Sequence, residues 1–220
     1  MLTLRVDLDY VPWDTPDAAE FGHGEPAVLL RLLDLAKQKG YKYHFFMSNR
    51  ALRAFPADAE AVLNEGHDLD WFCKHPEMPE ERFQEALALF SLHGHVPLGM
   101  CIRGAWPACA GEFEGIEELR FLSAAPGFTP GHLALFPVDT RTLREGIRAG
   151  LTARAWCDAV KAQMRESATR DRLTTVVVRP QVLAKHDPKL IYTREILELA
   201  TAIGMPMGSL RDRMKSESGP

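Results

Sequence analysis

The chain has 220 residues, of which 46% are hydrophobic and 25% charged, and its formal net charge is −4. This composition is typical of a globular protein with a sizeable core, and the length favours one domain over two. Basic residues are scattered among acidic ones, so no extended basic face is available for a phosphate backbone, and we expect no nucleic-acid partner.

Short apolar runs alternate with longer segments of helical period along the chain. In chain order we predict strand 2–9, helix 25–40, strand 41–48, helix 56–66, strand 67–72, helix 79–94, strand 97–104, helix 111–122, strand 132–138, helix 152–168, strand 173–180 and helix 190–204. Strands that alternate with helices of this length predict βαβ units around a parallel sheet. Either an open doubly wound sheet or a distorted barrel fits this pattern.

The first residues and the cysteines indicate the compartment. Arg5, Asp7 and Asp9 lie where a secretory signal peptide needs an apolar segment, and no later run is long enough to span a bilayer. We therefore expect a cytoplasmic protein with no membrane partner. Four cysteines at wide, irregular spacings favour reduced thiols over a disulfide framework or a zinc ribbon.

Polar residues gather at the predicted strand ends, where parallel α/β folds bind ligands. These ends carry Asp7 and Asp9, residues 70–75, residues 103–106 and Arg179. Because side chains alternate along a strand, Asp7 and Asp9 can point the same way. Two neighbouring carboxylates need a cation, a shared proton or an arginine nearby. The alternative is that one aspartate caps a turn and the other is solvated.

Taken together, these segments resemble the NodB-homology polysaccharide deacetylase superfamily. The resemblance is carried by the Asp7-Leu8-Asp9 motif, the strand YHFFMS at 43–48, NEGHDLDWFCKHP at 64–76 and IRGAW at 102–106. The Asp-x-Asp form is closest to intracellular branches, the lipid-linked aminoarabinose deformylases and allantoinase-like deacetylases. The resemblance implies an α/β fold, an irregular (β/α)7 barrel forming a single domain over residues 1–212. The polar composition of residues 213–220 predicts a frayed C-terminal tail.

The resemblance also implies catalytic roles and a divalent metal, zinc or a similar ion. Asp7 takes the place of the general base, and Arg103 takes the place of the arginine that orients it. Asp9 and His75 take the places of metal ligands. Trp106 stands at the aromatic position of the Arg-x-x-aromatic motif and is expected to contact the substrate.

Two positions depart from the family's pattern. The second motif has two histidines for one metal, but Trp71 or Phe72, depending on the alignment, stands where the first is expected. We therefore predict Asp70 as the replacement ligand, since a carboxylate is acceptable to a divalent ion. On the last strand, Arg179 replaces the histidine that acts as the acid. An arginine does not shuttle protons, but it can bind substrate or stabilise an oxyanion.

Three functions stay open, each with a small molecule or a carbohydrate as partner. The first is metal-dependent hydrolysis of a C–N amide bond, as in a deacetylase or deformylase of an N-acylated sugar. The second is a non-catalytic carbohydrate- or metabolite-binding member of the same fold, favoured by the two departures. The third is a metal-free hydrolase or lyase with Asp7 and Asp9 as an acid/base pair and Arg103 and Arg179 as a clamp for an acidic substrate. Whether the chain is an enzyme is left open.

Overall fold

Seven parallel strands form the centre of the computed structural model, which describes residues 1–10, 26–74, 79–102, 113, 116–126, 132–170 and 172–217. The strands are β1 (Leu2–Leu8), β2 (His44–Met47), β3 (Asp68–Phe72), β4 (Gly99–Cys101), β5 (Phe121–Ala124), β6 (Ala134–Pro137) and β7 (Thr174–Val178). Their order in the sheet is β6-β5-β4-β3-β2-β1-β7, and every neighbouring pair is parallel.

Helices follow β1, β2, β3, β6 and β7, as is usual for the crossover connections of parallel strands. Within the described residues they are α1 (Pro26–Lys39), α2 (Asn49–Ala54), α3 (Pro56–Asn64), α4 (Pro79–Ser91), α5 (Leu143–Arg148), α6 (Ala153–Thr169), α7 (Pro180–His186), α8 (Ile191–Ala202) and α9 (Leu210–Glu217). Their apolar sides pack with the outer faces of the strands in one large core cluster. None of the described helices is long and apolar enough to cross a membrane.

The sheet curls into a nearly closed barrel. Arg5 of β1 reaches across the interior, where its Nη1 donates to the Ser123 carbonyl of β5 at 3.1 Å and lies 3.0 Å from the Ser123 hydroxyl oxygen. A second apolar cluster fills the interior with Phe46, Phe72, Cys101, Phe121, Phe136 and Leu210. The predicted irregular (β/α)7 barrel is therefore confirmed.

The barrel has a seam between β6 and β7, the two ends of the strand order. Thr140, just beyond β6, donates its hydroxyl to the Thr175 carbonyl of β7 at 2.6 Å. A side-chain hydrogen bond thus joins the two sides of the seam, whereas backbone hydrogen bonds join the neighbouring strands elsewhere in the barrel. The seam leaves room for a cleft at the carboxyl ends of these strands.

The predicted helix at 111–122 is wrong over its described end, where Phe121 and Leu122 begin β5. Ile116, Leu119 and Leu122 follow the three-residue spacing of a helix. β5 is buried along its whole length, and a short apolar run of this kind has the same appearance as a buried helical segment. The spacing of apolar residues alone therefore could not distinguish a buried helix from a buried strand.

The predicted frayed tail is helical through Glu217 in α9. Leu210 is buried in the barrel interior, and Arg211 bonds to Asp70 of β3. These contacts join residues about 140 positions apart, so the polar composition of the segment gave no sign of them. The C-terminal segment is part of the barrel's packing.

Candidate functional site

A cleft of about 230 Å³ opens at the carboxyl ends of the strands beside the seam. Ala124 ends β5, Val138 follows β6 and Arg179 follows β7, and all three line it. Arg5 and Asp7 of β1 form its floor from the barrel interior. The strand-end cleft therefore lies where the sequence predicts the site.

Asp7 is held in a buried ion pair with Arg5, two residues earlier on the same face of β1. Arg5 Nε lies 2.8 Å from Asp7 Oδ1, and Arg5 Nη2 lies 3.2 Å from Oδ2. The guanidinium carbon is 5.2 Å from the centre of the Phe46 ring. Burial is the largest single effect and lowers the pKa of Arg5, but the charges and hydrogen bonds of Asp7 and Cys101 together raise the pKa overall. The guanidinium of Arg5 and the carboxylate of Asp7 thus compensate each other inside the barrel.

Asp9 also faces an arginine. Arg179 Nη2 donates to the Asp9 carbonyl at 3.2 Å and lies 3.8 Å from its Oδ2, and both side chains are buried. Gln181 Nε2 donates to the same carbonyl at 3.2 Å. Each carboxylate of the Asp-x-Asp motif therefore has a guanidinium beside it. Neighbouring carboxylates can be stabilised by a cation, a shared proton or an arginine, and here the structure shows an arginine beside each one.

Asp70 is not part of this cleft, which corrects its prediction as a metal ligand. Its Oδ1 accepts from the Leu98 and Gly99 amides at 2.7 and 3.0 Å, at the amino end of β4. Arg211 donates to both oxygens, at 2.6 and 2.9 Å. His44 Nε2 lies 3.0 Å from Oδ2. The carboxylate is fully buried and directed to the opposite end of the barrel.

The bonds around Asp70 define its ionisation. The Leu210 amide donates to His44 Nδ1 at 3.2 Å, so the proton of a neutral imidazole is on Nε2, facing Asp70. Burial is the largest single effect and raises the pKa of Asp70, but the hydrogen bonds and charges of His44 and Arg211 together lower the pKa overall. Asp70 is therefore a buried, ionised acceptor whose oxygens are already engaged. The sequence placed Asp70 near the end of a strand, but it did not show towards which end of the barrel the Asp70 side chain points.

Three predicted site residues, His75, Arg103 and Trp106, lie outside the described residues. Their roles as metal ligand, orienting arginine and substrate contact stay predictions. The two candidate positions for the missing histidine are both described and buried. Phe72 belongs to the apolar barrel interior, whereas Trp71 packs on Phe83 of α4 with ring centres 5.4 Å apart.

The described part of the site does not fit a divalent cation. Within the described residues, no three His, Cys, Asp or Glu side chains are grouped so as to hold a metal. More directly, an ion about 2 Å from Asp9 Oδ2 would lie within roughly 6 Å of Arg179, whose positive charge opposes a second cation. Asp70, the predicted replacement ligand, is engaged elsewhere.

Sequence reasoning missed two arginines of the cleft, Arg144 and Arg148 on α5. Thr142 begins this helix with a reciprocal capping box: its hydroxyl accepts from the Glu145 amide, and its own amide donates to Glu145 Oε2 at 2.9 Å. The signal was present as Thr-x-x-Glu at 142–145 in the sequence. Helical spacing of four then places both arginines on one face.

The fold has clear counterparts among solved structures. Peptidoglycan deacetylase PdaC from Bacillus subtilis, as the mutant D285S, is similar with a TM-score of 0.65 and 11% identity, over 99% of this chain and 91% of that one. PuuE allantoinase gives 0.67 and 14%, over 91% and 84%. A CE4 family pseudoenzyme from Bacillus anthracis gives 0.55 and 12%, over 96% and 64%.

These likenesses show the fold, an α/β barrel like those of peptidoglycan deacetylase PdaC and PuuE allantoinase. No family model and no curated protein matches the chain. The resemblance read from the Asp-x-Asp, GHD and RGAW segments is confirmed at the level of fold.

Proposed function

We propose that this chain is a non-catalytic binding protein on a deacetylase fold, holding a small molecule or a carbohydrate in the strand-end cleft. The observation that carries this proposal is Arg179, whose Nη2 lies 3.8 Å from Asp9 Oδ2. In the family that the sequence resembles, the residue at Asp9 binds the metal and the residue at Arg179 is a histidine acid. One substitution thus replaces the acid and places a fixed positive charge beside the metal ligand.

The state of Asp7 supports the same function. A general base needs an oxygen within hydrogen-bond reach of the proton that it abstracts. Both oxygens of Asp7 already accept N–H groups from Arg5, and the residue is only 1% exposed. The Bacillus anthracis pseudoenzyme shows that this type of fold also occurs without the usual activity.

Metal-dependent hydrolysis of an N-acylated sugar is the second candidate. The observation that favours it is the place of Asp7, in the cleft at the end of β1 and beside an arginine. Arg5 could hold Asp7 as the resemblance implies for Arg103. His75 stays the predicted metal ligand for this function.

The Arg179→His variant separates the two candidates. Removing the positive charge beside Asp9 and adding an imidazole is expected to raise zinc occupancy from well below one equivalent in the wild type. Zinc is measured by elemental analysis of full-length protein from zinc-supplemented medium. Arg194→His is the matched control, because Arg194 is an exposed residue of α8, and it should leave zinc content unchanged.

Activity completes the test. The wild-type chain is incubated with N-acetylglucosamine and N-formylated sugars, and free acetate or formate is measured with and without a chelator. We expect no release in either case. One equivalent of zinc in the wild type, together with chelator-sensitive release of acid, would overturn the proposal and establish the second candidate.

A further inference from the structure

We infer, resting on the proposed function, that the ligand of the strand-end cleft is acidic, and that Arg144, Arg148 and Arg179 bind its carboxylate or phosphate group. The three guanidinium groups come from two separate elements that line the same cleft, α5 and the end of β7. The inferred ligand is a molecule of about monosaccharide size, such as a uronic acid or a sugar phosphate.

Arg144 and Arg148 lie one helical turn apart and both line the cleft. Like charges at this spacing repel and destabilise a helix slightly. α5 has only six residues, so its position depends on the Thr142 capping box and on packing rather than on its own stability. The two arginines are therefore carried on a fixed short helix at the rim, at a small cost in helix stability.

Acidic groups offset part of this charge. The described lining contains two carboxylates, Asp7 and Glu145, against the four arginines Arg5, Arg144, Arg148 and Arg179. A third carboxylate, that of Asp9, lies 3.8 Å from Arg179. Arg5 compensates Asp7 at 2.8 Å, and Glu145 turns to the Thr142 amide at 2.9 Å. The cleft is thus positive on balance, which concentrates anions at its mouth.

Arginine is suited to this recognition. Its planar guanidinium forms two parallel hydrogen bonds with a carboxylate or a phosphate, and its charge persists at every physiological pH. Arg179 is buried and tied to the Asp9 carbonyl at 3.2 Å. It therefore offers a preorganised contact inside the cleft, whereas Arg144 and Arg148 offer contacts at the rim.

The volume of the cleft and its apolar walls limit the size of the ligand and the character of its uncharged part. Its volume of about 230 Å³ is below the roughly 300–1,000 Å³ of sites for drug-sized ligands. Ile102, Ala124, Val138 and Val177 supply apolar surface, which suits the carbon skeleton of a small molecule. One acidic group on a single ring matches both the charge and the space.

Calorimetric titration of the full chain at low ionic strength tests the inference. The probes are glucuronate, glucose 6-phosphate and neutral glucose. We expect at least one acidic probe to bind ten times or more tightly than glucose, and the comparison of the two acids identifies the preferred group. Affinity for that acid should fall as salt is added, since salt screens charges near the surface.

The double variant Arg144→Gln/Arg148→Gln should weaken acid binding about 10–100-fold, because hydrogen bonds between charged groups are lost. Arg165→Gln/Arg194→Gln removes two exposed arginines from α6 and α8 and should leave the affinity unchanged. Melting temperatures of both variants establish that they are folded. The wild-type salt dependence tests the inference even if the first variant unfolds.

The outcomes separate this inference from the proposed function. Glucose binding as tightly as the acids, or unchanged acid affinity in the folded Arg144→Gln/Arg148→Gln variant, would overturn the inference and leave a neutral-ligand binding protein. Chelator-sensitive hydrolysis of an N-acyl sugar would overturn the proposed function. If acid binding still depended on Arg144 and Arg148, the inference would stand and the acid would be part of a substrate.

Discussion

A buried carboxylate is costly unless a positive charge and hydrogen bonds compensate it, and Arg5 does this for Asp7. The two residues share a face of β1, and the guanidinium also bonds to Ser123 on the other side of the barrel. Cys101 Sγ lies 3.9 Å from Asp7 Oδ1. One arginine therefore stabilises the charge of Asp7 and joins β1 to β5.

The variant Arg5→Met should destabilise the protein by about 3–5 kcal/mol, because it removes the charge that compensates a buried carboxylate. The double variant Arg5→Met/Asp7→Leu should recover much of this loss, since no charge is then left without its partner. Urea unfolding of the wild type, both single variants and the double variant gives the coupling free energy. Additive effects would show that the pair does not stabilise the fold as described.

At the scale of single residues, the sequence predicted the position of the cleft better than the partners of its residues. Alternation along β1 predicts that Asp7 and Asp9 can point the same way. Asp7 lines the cleft, its catalytic role stays a prediction, and the same alternation could have identified Arg5. His67, in the GHD segment, has a structural contact, since its Nδ1 accepts from the Tyr43 amide at 3.2 Å. The prediction of Asp70 as a metal ligand was wrong because the carboxylate is bound by Arg211. Arg211 comes from a distant segment of the chain, and no local sequence pattern indicates such a partner.

Close packing between β4 and β5 accounts for Gly99 at the scale of elements. A Cβ at this position would lie 2.0 Å from Cζ of Phe121. Phe121 packs edge-on to His44 and Phe136, at 5.6 and 5.5 Å between ring centres, so the ring has little room to move. The Gly99 amide also bonds to Asp70 at 3.0 Å. Glycine is thus required here for space.

Gly99→Ala should therefore lower the free energy of unfolding by about 1–3 kcal/mol or more, the usual cost of overpacking a core. Gly208→Ala is the matched control, because the described atom nearest to its added Cβ would be Asp212 Oδ2 at 3.4 Å, an ordinary contact. Both are measured by chemical denaturation. Equal stability of the two variants would contradict the packing described for β4 and β5.

Elements with a strong local signal were predicted, and those that depend on distant contacts were not. α1 and α6 have long apolar faces, and β7 is a run of β-branched residues, so the sequence predicted all three. α2 and α7 have six and seven residues, too few for a clear helical period. α9 depends on Leu210 and Arg211, whose partners are in the barrel.

At the scale of the whole molecule, the barrel has different ends. The carboxyl ends of the strands open into a positive cleft, whereas the other end is closed by α9 and by the buried bonds of Asp70 with Arg211 and His44. The Leu2 amide donates to the Pro206 carbonyl at 2.7 Å, which ties the segment before α9 to β1. Within the described residues, the carboxyl end of the barrel holds the cleft, and the other end contributes stability.

The closed end should make stability depend on pH. The pKa of Asp70 is lower in the folded state than its ordinary value, so the unfolded chain binds more protons in acid. The stabilisation by Asp70 is complete above the unfolded pKa of about 4 and is lost as pH falls through the folded value. Stability should therefore fall below about pH 4.

Asp70→Asn should reduce the slope of unfolding free energy against pH in that acid range, and it should destabilise the protein at neutral pH. Asp158→Asn is the control, since Asp158 is 57% exposed on α6. Urea unfolding at a series of pH values measures both slopes. An unchanged slope in Asp70→Asn would show that this carboxylate does not account for the acid sensitivity.

The position of β1 between β2 and β7 has a consequence for how the chain folds during synthesis. Leu2–Val6 pair with Thr174–Val178, but β2 becomes available far earlier. At about 5–20 residues per second, the ribosome needs on the order of ten seconds to supply β7. Throughout that interval the free edge of β1, a strand that carries Arg5 and Asp7, is exposed to other unpaired strands. The topology therefore allows β1 to pair with β2 early, and β7 closes the edge of β1 only late in synthesis.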